Sequence, residues 1–118
     1  MSGPPAGTVT FLFTDIEGST KRWEHNPNVM KPALARHNAI LRGAIEANGG
    51  YVFQIRGDAF CAAFSSAPQA LQAALDAQRA LYMEPWPAEL GELRVRMALH
   101  PGFPNRRAET MPLLPSTV

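Results

Sequence analysis

Two aspartates are the residues whose type and position could do chemistry. Asp15 stands where a predicted strand ends, and Asp58 stands in a predicted turn further along the chain. If the fold brings the two carboxylates together, they form a hard oxygen site suited to Mg²⁺ or Mn²⁺. A pair of such ions is a recurring device in phosphoryl chemistry. The alternative is structural, with Asp15 as a helix cap and Asp58 as an ordinary turn residue.

The segment after Asp15 supplies a second chemical feature. Four residues lead from the predicted strand into a predicted helix: Glu17, Gly18, Ser19 and Thr20. A glycine lets the backbone approach a ligand closely, and main-chain N–H groups at such a position can bind phosphate oxygens. We therefore predict a phosphate-binding loop here, with the hydroxyl of Ser19 or Thr20 capping the helix that follows.

Hydrophobic periodicity predicts the elements that would position these residues. In chain order they are a strand at 8–14, a short helical turn, a helix near 27–48, a hairpin of strands at 51–55 and 59–64, a helix near 66–83 and a strand at 93–100. Ser66 begins a capping-box pattern at the start of the last helix. The apolar residues that we expect on the buried face of that helix are Leu71, Ala74, Leu75 and Leu81.

This βαββαβ order predicts an α+β fold of the ferredoxin-like type, an antiparallel sheet with its helices on one face. In that arrangement the first strand lies beside the third. The end of the first strand and the start of the third then meet at the same edge of the sheet, which would bring Asp15 and Asp58 together.

Composition limits the class of protein. The chain has 118 residues, with 11 basic and 10 acidic side chains, and 46% of its residues are hydrophobic. This balance predicts one globular domain and argues against a nucleic-acid partner. The single cysteine, Cys61, cannot form an intrachain disulfide, which favours a cytoplasmic location. No apolar run suggests a membrane partner, and residues 1–7 and the proline-rich 101–118 are predicted to be irregular or disordered tails.

Two long motifs resemble the class III adenylate/guanylate cyclase catalytic domain. They are TFLFTDIEGST at 10–20 and GGYVFQIRGDAFCAAF at 49–64. The resemblance covers residues 8–100 and implies a partial nucleotidyl cyclase domain. Its reaction converts ATP or GTP to a 3′,5′-cyclic nucleotide and pyrophosphate in intracellular signalling, which is the chemistry of a magnesium-dependent lyase.

The resemblance also implies roles for individual residues. Asp15, Asp58 and the carbonyl of Ile16 would hold two Mg²⁺ or Mn²⁺ ions, and residues 17–20 would contact the nucleoside triphosphate. Gln54 stands at the position that selects the purine base in the family. An amide both donates and accepts hydrogen bonds, so Gln54 leaves ATP and GTP open.

The sequence departs from the family after His100. The family continues with a strand and a helix that carry a ribose-orienting asparagine and a transition-state arginine, and no residue of 101–118 matches them. A truncation or a change of reading frame near His100 is the simplest interpretation. The family acts as a homodimer with sites at the interface, so we expect this chain to be a monomer or a weak dimer with little activity alone. The alternative function is a non-catalytic regulatory relic that binds metal and nucleotide.

The remaining polar and aromatic residues receive structural interpretations. The three histidines lack metal-ligand spacing and are expected at the surface: His25, His37 and His100. Cys61 is expected to be a buried thiol, and Arg56 is either a solvated turn residue or a phosphate contact.

Overall fold

The computed structural model describes residues 8–102 of the chain. Its elements are β1 (Val9–Ile16), α1 (Ser19–His25), α2 (Pro27–Ala47), β2 (Tyr51–Arg56), β3 (Ala59–Phe64), α3 (Ala67–Met83) and β4 (Val95–Gly102). The strands lie in the order β2-β3-β1-β4, and each neighbouring pair is antiparallel. The predicted ferredoxin-like α+β fold is confirmed, with β1 beside β3.

Pairing with β4 makes β1 longer than predicted. Asp15 lies opposite Arg96 and Ile16 lies opposite Val95, so both residues belong to the strand. Asp15 is therefore the penultimate residue of β1.

The other end of β4 corrects the predicted boundary of the C-terminal tail. Pro101 and Gly102 pair with Thr10 and Val9, so these two residues belong to the sheet. The rest of the two predicted tails, 1–7 and 103–118, lies outside the described residues.

Helix α1 begins at a glycine. Gly18 is the residue before its first turn, with a left-handed φ of 68°, and no side chain caps the helix. The predicted cap at Ser19 or Thr20 is therefore wrong, because both residues already lie inside the helix. At α3 the predicted cap is confirmed, since the Ser66 hydroxyl accepts a hydrogen bond from the Gln69 N–H at 3.4 Å.

The hydrophobic core fills the space between the sheet and helices α2 and α3. Its fully buried large side chains include Leu12, Phe60 and Phe64 from the sheet and Met30, Leu41 and Ile45 from α2. We call this side of the sheet the helix face. No helix within residues 8–102 has the length and apolarity that a membrane crossing requires.

Helix α3 packs through a set of residues that agrees with the predicted one at Leu81 and in part at Ala74, but not at the other two leucines. It buries Ala70, Ala73, Ala77 and Leu81. Leu71 and Leu75 are instead 50% and 43% exposed. Small alanines let a helix approach the sheet closely, and the two larger leucines then lie beside the contact instead of within it.

We call the opposite side of the sheet the open face. Its aromatic residues contact one another, with Phe11 ring centroids 6.0 Å from Phe13 and 5.7 Å from Phe53. Cys61 lies opposite Phe13 on this face and is buried, as expected.

A β-bulge interrupts β2. The register shifts between Val52 and Gln54, so Phe53 is an extra residue and Gln54 lies opposite Cys61. Because paired residues share a face, the bulge brings Gln54 to the open face.

Candidate active site

Asp15 on the open face is held by an arginine from the neighbouring strand. Arg96 donates from Nε to Asp15 Oδ1 at 2.8 Å and from Nη2 to Asp15 Oδ2 at 2.7 Å. The hydrogen bond to this carboxylate raises the pKa of Arg96 above its ordinary value. The two-point geometry fixes the plane of the carboxylate at the end of β1.

Asp58 reaches the same end of β1 from the β2–β3 turn. Its Oδ1 accepts a hydrogen bond from the main-chain N–H of Ile16 at 3.1 Å, across 42 residues of sequence. Gly57, with a φ of 57°, supplies the left-handed residue that this tight turn requires. The structure therefore brings the two predicted aspartates to one edge of the sheet, as the fold argument required.

The predicted phosphate loop is anchored by a main-chain hydrogen bond to the segment that precedes β4. Glu17 donates its main-chain N–H to the carbonyl of Arg94 at 2.8 Å. That N–H already has a partner, so any phosphate contact at Glu17 would have to compete with it. Gly18, Ser19 and Thr20 follow at the turn into α1.

Arg22 was not singled out from the sequence, and it fastens this loop to the connection between α3 and β4. Its guanidinium donates to the carbonyls of Leu90 at 2.6 Å, Glu92 at 2.8 Å and Glu17 at 3.3 Å. All three acceptors are main-chain atoms, and two of them are 68 and 70 residues away. No sequence spacing signals such a contact.

Gln54 is paired with Arg56 on the open face. With the Gln54 amide assigned so that its oxygen faces the guanidinium donors, that oxygen accepts from Arg56 Nε at 2.8 Å and from Arg56 Nη2 at 3.2 Å. Burial raises the pKa of the neighbouring Cys61 thiol, and the charge of Arg56 opposes that rise. Arg56 therefore lies over the part of the sheet that carries Gln54 and Cys61.

His37 contradicts the expectation that it lies at the surface. It is fully buried between α2 and the sheet, and its ring packs edge-on against Phe60 at 5.9 Å. Nδ1 bonds to Asn38 Oδ1 at 2.8 Å, whereas Nε2 has no partner among residues 8–102. Burial lowers the pKa of His37 below its ordinary 6.5, so the ring is neutral near pH 7. His25 and His100 are exposed, as expected.

The oxygen atoms at this edge fit a divalent metal in kind. Residues 8–102 contain no cluster of three or more histidine, cysteine or acidic side chains. Mg²⁺, however, is usually bound through one or two carboxylates and completes its shell with substrate phosphates and water. Asp15, Asp58 and the Ile16 carbonyl match that pattern, provided that Arg96 moves off the Asp15 oxygens.

The chain is similar to nucleotide cyclases. The family described as "Adenylate and Guanylate cyclase catalytic domain" matches residues 1–102. The chain belongs to this family, and it corresponds to the N-terminal part of the class III catalytic domain.

Individual relatives show how much of a longer protein the chain represents. An adenylate cyclase of Schizosaccharomyces pombe is 40% identical over 89 residues, which are 75% of this chain and 5% of that protein. An uncharacterized protein of Mycobacterium tuberculosis is 39% identical over 108 residues, which are 90% of this chain and 35% of its own length. A Trypanosoma brucei adenylate cyclase, solved in its monomeric state, superposes with a TM-score of 0.78 at 28% identity, covering 86% of this chain and 60% of that one.

Proposed function

We propose that the chain binds a metal–nucleoside triphosphate where β1 meets the β2–β3 turn, as part of a nucleotidyl cyclase. The observation that carries the proposal is the Asp58–Ile16 hydrogen bond, which joins the two aspartate-bearing segments at 3.1 Å. Two carboxylates, the carbonyl of Ile16 and a glycine turn then lie at one edge of the open face. The relatives named adenylate cyclase support this interpretation.

In this proposal Asp15, Asp58 and the Ile16 carbonyl hold two Mg²⁺ or Mn²⁺ ions. When bound, such ions neutralise phosphate charge and activate the ribose 3′-hydroxyl for attack on the α-phosphorus, with loss of pyrophosphate. The turn at Gly18, Ser19 and Thr20 offers main-chain N–H groups to the triphosphate. Glu17 does not offer its own N–H to the triphosphate, because that N–H is bonded to the Arg94 carbonyl. This bond holds the loop in place.

In this proposal Arg96 exchanges one anionic partner, the Asp15 carboxylate, for another, a phosphate of the nucleotide. Its guanidinium forms an ion pair with Asp15. A cation that bound the Asp15 oxygens would displace this guanidinium toward a phosphate oxygen, because arginine binds phosphates as well as carboxylates through two parallel N–H donors. The pair thus keeps the carboxylate positioned until the metal–nucleotide arrives.

The proposal predicts that both aspartates are needed for metal–nucleotide binding. Asp15→Asn and Asp58→Asn each remove a charged oxygen ligand and should weaken Mn²⁺ binding in the presence of ATP by roughly tenfold or more. Calorimetry measures this affinity. Glu46→Gln, an exposed acid on α2, is the matched control and should bind as the unchanged chain does. Unaltered affinity in both aspartate variants would contradict the metal site.

Turnover by this chain alone is proposed to be low. No residue of the sequence matches the family's asparagine and arginine. A positioned cation in phosphoryl transfer contributes roughly 10³ to 10⁵ in rate. Product chromatography with Mn²⁺ and each triphosphate tests this point, and abundant cyclic nucleotide that disappears in Asp15→Ala would overturn it.

A non-catalytic regulatory module is the second candidate function. It is favoured by the two-point Arg96 contact, which occupies both Asp15 oxygens. The two candidates differ in turnover once the missing elements are supplied. Activity regained on grafting a family-type C-terminal segment after His100 would support the cyclase, and metal–nucleotide binding without product in that graft would support the regulatory module.

Partners and location follow the same proposal. We propose a monomer or weak dimer, which sedimentation at low micromolar concentration tests, because a tight dimer would contradict it. Dependence on magnesium and the cytoplasmic location favoured by the single cysteine stay predictions.

A further inference from the structure

We infer that Arg22 is a positioning residue for the metal site, and that it acts by fixing the direction of the Ile16 carbonyl. The inference rests on the proposed function, in which that carbonyl is a metal ligand. It goes beyond that function because Arg22 acts through main-chain atoms of the chain and not on the metal itself. A main-chain carbonyl keeps its chemistry whatever its side chain is, so its direction is the property that other residues control.

The direction of the Ile16 carbonyl follows from the hydrogen bonds on either side of it. The peptide that joins Ile16 to Glu17 is planar and trans, so the Ile16 C=O and the Glu17 N–H point in opposite directions. The Glu17 N–H donates to the Arg94 carbonyl at 2.8 Å, which turns the Ile16 carbonyl away from Arg94. The Ile16 N–H donates to Asp58, and a strand residue points its N–H and C=O to the same side. Both observations direct this carbonyl toward the side of β1 that carries Asp58.

Arg22 holds the other peptide of Glu17 in place. Its Nε donates to the Glu17 carbonyl at 3.3 Å, so Glu17 is bonded at both its N–H and its C=O. Its Nη1 and Nη2 donate to the carbonyls of Leu90 at 2.6 Å and Glu92 at 2.8 Å. These two residues lie in the segment that leads to Arg94, whose carbonyl accepts the Glu17 N–H. One guanidinium therefore joins Glu17 to the segment that holds its N–H.

The acceptor side of this contact has a backbone conformation that suits glycine. Gly91 stands between the acceptors Leu90 and Glu92, with a left-handed φ of 65°. A side chain is strained in that conformation, although a Cβ at Gly91 would meet nothing within 4 Å. Leu90 is buried in the core, so the acceptor segment is itself anchored. A substitution at Gly91 therefore disturbs the acceptors without touching Arg22.

Three other roles for Arg22 make different predictions. A direct phosphate contact affects nucleotide binding and leaves the Glu17 N–H unchanged in the ligand-free chain. A purely structural contact affects the protection of that N–H and leaves metal–nucleotide binding unchanged. A general loss of stability affects both, but an unrelated destabilising substitution then does the same. A positioning role affects both, and only when this contact is disturbed.

The experiment makes two measurements on the full chain. NMR gives the rate of amide hydrogen exchange at Glu17 without ligand, and calorimetry gives the affinity for Mn²⁺ in the presence of ATP. Arg22→Met should speed the exchange by about tenfold, the scale of one hydrogen bond to a charged group. It should weaken Mn²⁺ binding by about tenfold, as loss of a residue that orients a metal ligand does. Gly91→Ala should move both quantities in the same directions by smaller factors.

Two control variants match these changes elsewhere in the chain. Arg42→Met removes an arginine side chain that is 48% exposed on α2, and it tests the loss of charge alone. Ile45→Val shortens a fully buried side chain and lowers the stability of the whole chain. Glu17 follows the end of a strand and exchanges through local opening, so both measurements should stay as in the unchanged chain for both controls.

Each other result overturns a distinct claim. Unchanged Mn²⁺ affinity in Arg22→Met, or unchanged exchange at Glu17, overturns the positioning role and leaves the proposed function standing. Equal changes in Ile45→Val also overturn the positioning role. Should Arg22→Met fail to fold, Gly91→Ala decides by the same two measurements. Failure of the unchanged chain to bind Mn²⁺ with ATP overturns the proposed function itself, and the inference with it.

Discussion

The helix face and the open face of the sheet are built by the same strands, yet they differ in what their side chains do. On the helix face, Leu12 and Phe64 are fully buried and pack against α2 and α3. On the open face, Asp15 and Arg96 form an ion pair with 22% and 29% of their side chains exposed. A core position and a candidate ligand position can therefore be neighbouring residues of the same strand.

This difference shows how a small fold keeps stability and chemistry apart. A strand alternates its side chains, so β1 can give one set to the core and the other to the site. Substitutions on the helix face should therefore change the free energy of unfolding, and substitutions at the polar end of the open face should change binding. The following predictions test that division, beginning with the largest effect.

Truncation of matched phenylalanines on the two faces should give very different losses of stability. Phe64→Ala removes a fully buried ring and should cost about 3–5 kcal/mol of unfolding free energy. Phe53→Ala removes a half-buried ring from the bulge on the open face and should cost less than half as much. Urea denaturation measures both, and equal losses would break the division between the faces.

Added methyl groups probe how rigidly each face is packed. A Cβ at Gly50 would lie 2.5 Å from the Phe64 ring and 2.7 Å from Ile45, so Gly50→Ala should cost about 1–3 kcal/mol. A Cβ at Gly102 would lie equally close, 2.5 Å, to the Phe11 ring. That ring is only half-buried and can move, so we expect a smaller loss.

Gly43→Ala provides the control for this pair. Gly43 lies within α2, and a Cβ there meets nothing within 4 Å. This substitution should stabilise the protein by roughly 0.5–1 kcal/mol through helix propensity. A larger loss at Gly102 than at Gly50, in the same thermal or urea experiment, would reverse the assignment of the rigid face.

His37 should make the stability of the helix face depend on pH. Burial lowers its folded-state pKa below the ordinary 6.5, so the unfolded chain binds a proton that the folded chain excludes. Stability is therefore complete above pH 6.5 and falls as the pH drops below it, by up to about 1.4 kcal/mol at pH 5.5. His37→Met should remove this part of the pH dependence in urea titrations, and an identical profile in both proteins would contradict the assignment.

Substitution of Arg96 should have the smallest effect on affinity, and the effect should be opposite for Mn²⁺ alone and for Mn²⁺–ATP. Arg96→Met frees the Asp15 oxygens, so the affinity for Mn²⁺ alone should rise, by about threefold if the pair has the modest strength of other partly exposed pairs. The affinity for Mn²⁺–ATP should fall, because the guanidinium can no longer bind a phosphate. Calorimetry with and without ATP gives both values, and a change in the same direction in both would refute the exchange of partners.

Local patterns were sufficient to predict most of the fold. Alternation in β1, the turn residues between β2 and β3, and the capping box at Ser66 each depend on neighbours in sequence, and each is confirmed. The approach of Asp58 to the end of β1 followed from strand order alone. These features were accessible because the physics that determines them is local or topological.

The features that were missed depend on contacts between distant residues. Arg96 meets Asp15 across 81 positions, and no spacing distinguishes it from the exposed Arg94. The predicted burial of Leu71 and Leu75 on α3 was wrong because hydrophobicity favours leucine, whereas close packing of a helix against a sheet favours alanine. The predicted surface position of His37 was wrong for a related reason. A polar residue type gives no sign that the helix will place it in the core.

The bulge in β2 has a consequence for how this hairpin can change during evolution. If Phe53 paired regularly with Cys61, Gln54 would lie opposite Phe60 and turn toward the core. Deleting Phe53 itself would instead leave Gln54 opposite Cys61 in a regular strand, whereas deleting a residue inside the strand on either side of the bulge would reverse the faces of the positions beyond the deletion. The bulge is therefore the place where β2 can lose a residue without changing which side chains share the open face.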